Sequence, residues 1–148
     1  MYKHILIATD GSELAQRAVT HGLTLAKSVG AQASFLTATK MWSAMEMSGH
    51  ATHGELHPTE DYETKTAKWA NEVLAACRDQ ANKAGVISTT IHVGDTDPDK
   101  AIVETAKTRG CDLIVMASHG RGPIRRLLLG SIALKVLTYT SIPVQIVR

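Results

Sequence analysis

Short apolar runs alternate with amphipathic stretches in the first part of the chain. Residues 4–9 form a nearly continuous apolar run that stops at Asp10-Gly11-Ser12, which is typical of a strand buried on both faces. Apolar residues at helical spacing follow as far as Gly30, and either Asp10 or Ser12 can cap that predicted helix. Residues 33–39 form a second apolar run. This part of the chain therefore predicts a strand–helix–strand unit.

The rest of the chain repeats this alternation after one interruption. Residues 40–58 show no clear period and hold three Met and three His residues, so we expect a surface excursion there. Beyond it, the pattern predicts helices over 59–84, 97–108 and 130–140, and strands over 86–93, 113–116 and 142–147. The helix at 97–108 is predicted to begin with Asp97 as its cap and Pro98 in its first turn. The strand over 86–93 is predicted to place four residues on one side: Ile87, Thr89, Ile91 and Val93.

Strands that alternate with helices predict a parallel sheet joined by right-handed crossovers. Five predicted strands indicate an open, doubly wound α/β fold with helices on both faces. The chain has 148 residues and shows no internal repeat or linker. We therefore expect a single domain over residues 1–148.

Charge is distributed unevenly along the chain, although the formal net charge is only +2. Residues 113–148 carry five basic side chains and no acidic one, whereas residues 1–112 carry 11 basic and 14 acidic side chains. This asymmetry favours an anionic ligand near the C-terminal quarter. Solvated arginines would produce the same asymmetry without a ligand.

Several classes of protein are excluded by what the sequence lacks. No apolar run reaches the roughly 18–20 residues that a membrane span needs, and the N-terminal residues do not follow the plan of a signal peptide. Cys77 and Cys111 form no CxxC pair and stand in apolar surroundings, so free, buried thiols in a reducing cytoplasm are expected. No strand alternates basic and aromatic residues. We therefore expect a cytoplasmic chain with neither a membrane nor nucleic acid as its partner.

The ends of the first and fourth predicted strands carry residues suited to ligand binding. In doubly wound sheets, ligands bind beyond the carboxyl ends of the strands, where the strand order reverses. The fourth strand runs into residues 117–122, where Gly120 and Gly122 allow the backbone to approach a ligand closely. Gly130-Ser131 then opens a helix, and a helix N-terminus attracts anions. A phosphate-binding loop or an ordinary glycine turn would account for this pattern, and the chain has neither a Walker loop nor a G-x-G-x-x-G fingerprint.

The order of these motifs resembles that of the universal stress protein family in its small, single-domain form. The matching segments cover the whole chain except about residues 41–58: HILIATDGS at 4–12, VGD at 93–95, DLIVMASHG at 112–120, LLLGS at 127–131 and IPV at 142–144. The resemblance implies strand order 3-2-1-4-5 and a homodimer formed through residues 142–148. Members with the motif G-x2-G-x9-G-[S/T] bind ATP through it. In this chain Ala117 replaces the first glycine, and its methyl group is either harmless or crowds the phosphates.

The resemblance also implies which residues surround the nucleotide. Asp10 would lie near the ribose or the adenine, with a plain helix cap as its alternative role. Ala8 and Ala38 would line the adenine pocket, and small aliphatic walls suit a chain with only 4% aromatic residues. Residues 120–122 would approach the phosphates, and residues 130–132 would close the far side. The predicted binding residues are Ala8, Thr9, Asp10, Ala38, Ala117, Ser118, His119, Gly120, Arg121, Gly122, Gly130, Ser131 and Ile132.

These implications predict an ATP-binding stress-response or signalling protein that acts as a homodimer. AMP is a second expected ligand, Mg²⁺ an optional companion of the nucleotide, and an unidentified protein a further partner. No catalysis beyond slow ATP hydrolysis is expected, because only Asp10 and His119 could act near the crevice. Two alternatives stay open. One is a related dimer that works through protein contacts without nucleotide, and the other is a metal-responsive protein that uses the Met and His side chains of residues 41–57.

Overall fold

The computed structural model describes residues 1–40, 58–120 and 129–148, which hold five strands and four helices. Each predicted helix and strand is present, and its ends differ from the prediction by no more than two residues. The excursion predicted over residues 40–58 lies almost wholly outside the described residues. In chain order the elements are β1 (His4–Ala8), α1 (Glu13–Val29), β2 (Gln32–Thr39), α2 (Pro58–Ala84), β3 (Ser88–Gly94), α3 (Pro98–Thr108), β4 (Leu113–Ala117), α4 (Ser131–Tyr139) and β5 (Val144–Val147).

All five strands run parallel in one sheet, in the order β3-β2-β1-β4-β5. The central strand is β1, where Ile5 pairs with Ala33 of β2 on one side and with Leu113 of β4 on the other. The chain builds outward from β1 to β3 and then returns to the other side of β1 with β4. The predicted α/β fold, and the strand order that the resemblance implies, are therefore confirmed.

Helices cover both faces of the sheet, and each face has its own apolar core. The side chains of Ile5, Ile7 and Phe35 are fully buried in the core beneath α1 and α2. Leu6 and Leu36 are buried in the core beneath α3 and α4. Successive residues of a strand point to opposite faces. A continuous apolar run such as that of β1 is therefore what a strand between two cores requires.

The ends of α1 follow the capping rules. Ser12 is the N-cap, and its Oγ accepts a hydrogen bond from the N–H of Ala15 at 3.2 Å. Gly30 ends the helix in the left-handed conformation, with φ of 71°. Of the two predicted caps, only Ser12 bonds the helix, because Asp10 Oδ1 accepts the N–H of Ser12 itself at 3.0 Å.

The start of α3 is as predicted in position but not in its capping. Asp97 is the N-cap and Pro98 follows it in the first turn, yet the Asp97 carboxylate makes no capping hydrogen bond. That carboxylate lies 2.9 Å from the Nζ of Lys40, which follows β2. The side chain therefore ties the end of β2 to the start of α3 instead of closing the helix.

One residue of the predicted third strand lies outside the core. Ile87 is 77% exposed, because the strand begins only at Ser88 and Ile87 precedes it at the margin of the sheet. Ile91 and Val93 pack against the core beneath α3 and α4. Thr89 is on that face too, because its Oγ1 lies 2.9 Å from the Oγ of Ser34, which is two residues before Leu36. The predicted side is therefore confirmed for Thr89, Ile91 and Val93, and Ile87 departs from it.

Both cysteines are free and buried, as predicted, with one in each core. Burial raises the pKa of the Cys77 thiol to about 11. Burial, with the nearby negative charge of Asp112, raises the pKa of the Cys111 thiol to about 11 as well. Both side chains are therefore protonated and apolar near neutral pH.

Candidate functional site

A cavity of about 370 Å³ opens at the carboxyl ends of β1, β2 and β4, beside the N-terminal turns of α3 and α4. This volume falls within the range of small-molecule sites, roughly 300–1,000 Å³. The cavity lies where the strand order reverses between β1 and β4, the usual position of ligands in doubly wound sheets. Its lining residues are Ala8, Thr9, Asp10, Ala15, Leu36, Ala38, Pro98, Ile102, Met116, Ala117, His119, Gly120, Gly130, Ser131, Ile132 and Ala133.

Small and aliphatic side chains form one wall of the cavity. Leu36 and Ala38 come from β2, Met116 from β4 and Ile102 from α3. Leu36 and Ala38 are two residues apart, so they share the face of the sheet that α3 and α4 cover. This wall offers hydrocarbon surface to a flat apolar group.

Asp10 and Gly120 meet in the polar part of the cavity lining. The Asp10 carboxylate is held by the N–H of Ser12, and its Oδ2 lies directly beside the backbone of Gly120. A Cβ atom on residue 120 would stand only 2.7 Å from that oxygen. Glycine at this position therefore lets the loop after β4 pass against the carboxylate of the loop after β1.

Gly130 joins the start of α4 to the loop after β4. Its N–H donates to the carbonyl of Ser118 at 2.7 Å, and a Cβ here would stand 3.1 Å from that carbonyl oxygen and 3.1 Å from the Cα of His119. Gly130 is also the N-cap of α4, and it has no side chain with which to cap the helix. Because Ser131, Ile132 and Ala133 line the cavity, the uncapped first turn of α4 and the positive end of its dipole border it.

His119 and Ser118 form a short polar pair in the same loop. The Nδ1 of His119 and the Oγ of Ser118 are 3.1 Å apart. Ser118 is buried, and its N–H donates to the carbonyl of Val147 at the end of β5. His119 lines the cavity, whereas Ser118 holds the loop from behind.

The structure brings ten of the thirteen predicted binding residues to this one cavity. Ser118 lies behind the lining, and Arg121 and Gly122 lie outside the described residues. The residues at the cavity are Ala8, Thr9, Asp10, Ala38, Ala117, His119, Gly120, Gly130, Ser131 and Ile132. The ends of β1, β2 and β4 and the start of α4 therefore converge as the resemblance implies.

Ala117, which replaces the first glycine of the motif, is the last residue of β4. It borders the cavity, but its side chain belongs to the core beneath α1 and α2, against which Val147 also packs. The Cβ follows the alternation of the strand, since Leu113 and Val115 lie in the same core. This placement favours the alternative in which the methyl group of Ala117 does not crowd the phosphates.

Six lining residues were not among the predicted ones. The sequence contains a signal for four of them. Leu36 shares a strand face with Ala38, and Met116 precedes Ala117, so both are next to residues that are predicted to bind. Pro98 and Ala133 likewise stand at predicted helix starts. Only packing reveals Ala15 and Ile102, since each is one of several inward positions on its helix.

An ion pair lies beside the cavity. The Lys40 ammonium, hydrogen-bonded to Asp97, holds the pKa of that carboxyl below its ordinary value, and Lys100 and Lys135 act in the same direction. The Asp97 carboxylate in turn raises the pKa of Lys40. Both side chains are exposed enough for water to screen the pair.

Residues 1–40, 58–120 and 129–148 contain no group of three His, Cys, Asp or Glu side chains that could hold a metal ion. The Met and His residues behind the metal-responsive alternative fall in 41–57, outside those ranges. Within the same ranges, no helix is both long enough and apolar enough to cross a membrane.

Sequence comparison decides the family. A profile of the universal stress protein family matches residues 1–148. The chain belongs to the universal stress protein family. Universal stress protein YxiE of Bacillus subtilis is 29% identical over 150 residues, which cover all of both chains. Universal stress protein MJ0531 of Methanocaldococcus jannaschii is 30% identical over 149 residues, which cover all of this chain and 83% of the relative.

Solved universal stress proteins and related structures share this fold. Hypothetical protein MJ0577 superposes with a TM-score of 0.81 at 26% identity, and the match covers 99% of this chain and 96% of that one. A universal stress protein in complex with cAMP superposes with a TM-score of 0.73, also at 26% identity, over 99% of this chain and 97% of that one. This chain therefore shares its fold with these structures.

Proposed function

We propose that this universal stress protein binds an adenine nucleotide, ATP first among them, in the cavity between β1 and β4. The observation that carries the proposal is one cavity whose lining combines aliphatic side chains with the start of α4, which begins at Gly130. A nucleotide combines the same two kinds of surface requirement, since its base is flat and largely apolar and its phosphates are anionic. The bound nucleotide would serve stress response or signalling, with at most slow hydrolysis.

The base fits the aliphatic wall. Ala8 and Ala38 have side chains short enough to leave room for a ring, and Leu36 and Met116 offer apolar surface. A pocket lined in this way binds through buried apolar area, with few polar groups to fix orientation. The side chains that would surround adenine are therefore aliphatic, as the low aromatic content predicts.

The phosphates fit the start of α4. Backbone N–H groups at the first turn of a helix bind anions without any charged side chain. Gly120 brings the loop after β4 against the loop after β1, and Gly130 brings the start of α4 against the loop after β4. Asp10 also lines the cavity, and its carboxylate can accept hydrogen bonds from ribose hydroxyls or hold Mg²⁺ beside the phosphates.

Relatives support an adenine nucleotide as the class of ligand. The universal stress protein solved with cAMP is 26% identical to this chain over nearly all of both chains. Its ligand carries the same base and ribose as ATP. The further step to ATP rests on the spacing of Ala117, Gly120 and Gly130-Ser131.

We also propose a homodimer formed through β5. This strand is at the edge of the sheet and pairs with β4 alone, so its other edge offers unpaired backbone groups to a second chain. All four of its residues are only half-buried. Sedimentation of the purified chain measures the mass that decides between monomer and dimer.

Both cysteines are free thiols, which fits a reducing cytoplasm.

Mass spectrometry of the purified chain, followed by calorimetry with Mg-ATP and AMP, tests nucleotide binding. We expect Gly130→Asp to abolish binding, because it places a carboxylate beside the phosphates and a Cβ against Ser118 and His119. The matched control is Gly94→Asp, which adds the same charge at the end of β3, where a Cβ meets only Thr39 Oγ1, at 3.9 Å, among the described residues.

Each outcome of this experiment has a definite reading. Bound nucleotide in the wild type and Gly94→Asp, and none in folded Gly130→Asp, supports the proposal. Unchanged affinity in folded Gly130→Asp removes the start of α4 from the site. A wild-type chain that is empty and takes up no added nucleotide refutes the proposal in favour of a dimer that works through protein contacts.

A further inference from the structure

Thr37 is a polar residue fully buried in β2 that the nucleotide site itself does not use. It is 0% exposed and does not line the cavity. It lies two residues after Phe35, so its side chain is on the sheet face that α1 and α2 cover. The cavity wall residues Leu36 and Ala38 are on the other face. A hydroxyl in this position needs a partner, and its partner leads to the site.

The Thr37 hydroxyl donates a hydrogen bond to the carbonyl of Thr9 at 3.0 Å. Thr9 is the first residue beyond β1, and its N–H still donates to the carbonyl of Leu36. The Thr9 carbonyl belongs to the peptide group that joins Thr9 to Asp10. Because a peptide group is planar, anchoring this oxygen sets the direction in which the chain enters Asp10.

Further hydrogen bonds carry this order to the cavity. The N–H of Gly11 donates to Thr9 Oγ1 at 3.2 Å, and Gly11 itself has a positive φ of 75°. The N–H of Ser12 donates to Asp10 Oδ1 at 3.0 Å, which leaves Oδ2 beside Gly120. The Asp10 carboxylate is thus oriented by a loop whose first peptide group is held by Thr37.

We infer that Thr37 is a positioning residue for nucleotide binding, which acts through the Thr9–Asp10 peptide group to aim the Asp10 carboxylate into the cavity. The inference rests on the proposed function, since it concerns the affinity of the same site. It assigns a role in binding to a residue that does not line the cavity.

Isosteric substitution separates this role from simple packing. Thr37→Val keeps the shape of the side chain and removes the hydroxyl, so the Thr9 carbonyl loses its buried donor. Thr37→Ser keeps the hydroxyl and removes the methyl group. The matched control is Thr39→Val, which removes a buried hydroxyl from the same strand whose partner is the Nε2 of His92 and not the Asp10 loop.

The first measurement is amide hydrogen exchange by NMR in the chain without nucleotide. We expect Thr37→Val to speed exchange at Gly11 and Ser12 about tenfold, since one buried hydrogen bond changes such equilibria by roughly 5–30-fold. Thr39→Val and Thr37→Ser should leave both amides within about twofold of the wild type. Unchanged exchange at Gly11 and Ser12 in Thr37→Val would overturn the inference.

The second measurement is calorimetric affinity for ATP in a double-mutant cycle with Asp10→Asn. We expect Thr37→Val to weaken binding about tenfold in the wild-type background and less than about twofold in the Asp10→Asn background. Additive losses overturn the inference, because Thr37 would then act independently of Asp10. A wild-type chain without nucleotide affinity overturns the proposed function as well, whereas wild-type affinity in Thr37→Val overturns this inference alone.

Discussion

The contact between Gly120 and Asp10 makes Gly120→Ala a sharp test of the site. Residue 120 has no positive φ, so alanine is compatible with its backbone conformation. The added methyl carbon would stand 2.7 Å from Asp10 Oδ2, with the carboxyl carbon next nearest at 3.8 Å. The methyl group therefore collides with one carboxylate oxygen and with nothing else that close among the described residues.

The size of the effect follows from that distance. Ordinary contact between heavy atoms is about 3.5 Å, so the oxygen has to retreat by roughly 0.8 Å. Such a rotation strains the hydrogen bond from Ser12 to Asp10 Oδ1, which is worth about 1–2 kcal/mol. If the nucleotide uses the same carboxylate orientation, its affinity falls by a factor of about 5–30. The fold loses little, because Asp10 is only half-buried.

Calorimetric titration with Mg-ATP, paired with thermal unfolding, measures both quantities. Gly94→Ala is the matched control, because it adds the same methyl group at a strand end where a Cβ has 3.9 Å of clearance. We expect weaker binding for Gly120→Ala and wild-type binding for the control. Wild-type affinity in a folded Gly120→Ala chain would show that the Asp10 orientation does not matter to the ligand.

Two further predictions concern the cores. Ellman's reagent at pH 8 should leave Cys77 and Cys111 unmodified in the folded chain and should modify both in denaturant. The reactivity of the folded chain should rise only as the pH approaches the thiol pKa of about 11. Rapid labelling of the folded chain at pH 8 would contradict the burial of the two thiols. Gly22→Ala should lower the free energy of unfolding in urea by about 1 kcal/mol. Overpacking of the core costs about 1–3 kcal/mol, which outweighs the roughly 1 kcal/mol that the higher helix propensity of alanine contributes. Its Cβ would stand 2.6 Å from the Cδ1 of Ile7, which is fully buried, so a variant as stable as the wild type would show that Ile7 can move aside.

The two glycines of the site illustrate how far the motif by itself leads. The sequence marks Gly120 and Gly130 as points of close approach to phosphates. In the structure both are also points where two segments of this chain touch, Gly120 against Asp10 and Gly130 against Ser118 and His119. Spacing within one segment cannot show the contact between Gly120 and Asp10, because these residues are more than a hundred positions apart along the chain.

Asp97 shows a limit of local rules. Its position before Pro98 predicts a helix cap, and the helix does begin there. The carboxylate nevertheless pairs with Lys40, because the parallel arrangement of β2 and β3 brings the end of one strand beside the loop that follows the other. A charged partner brought close by tertiary structure replaced the capping bond that the local sequence favours.

The sequence by itself determined the order of strands and helices, the burial of β1 on both faces and the free state of both thiols, because these depend on periodicity and composition along short stretches. The resemblance to a family added the strand order and the set of loops that form the site. Only the tertiary structure decided that Ala15 and Ile102 line the cavity and that Thr37 anchors the Asp10 loop from the face of β2 opposite to Leu36. These relations join strands and helices that are distant in sequence, and they exist only once the sheet and both helical layers have packed together.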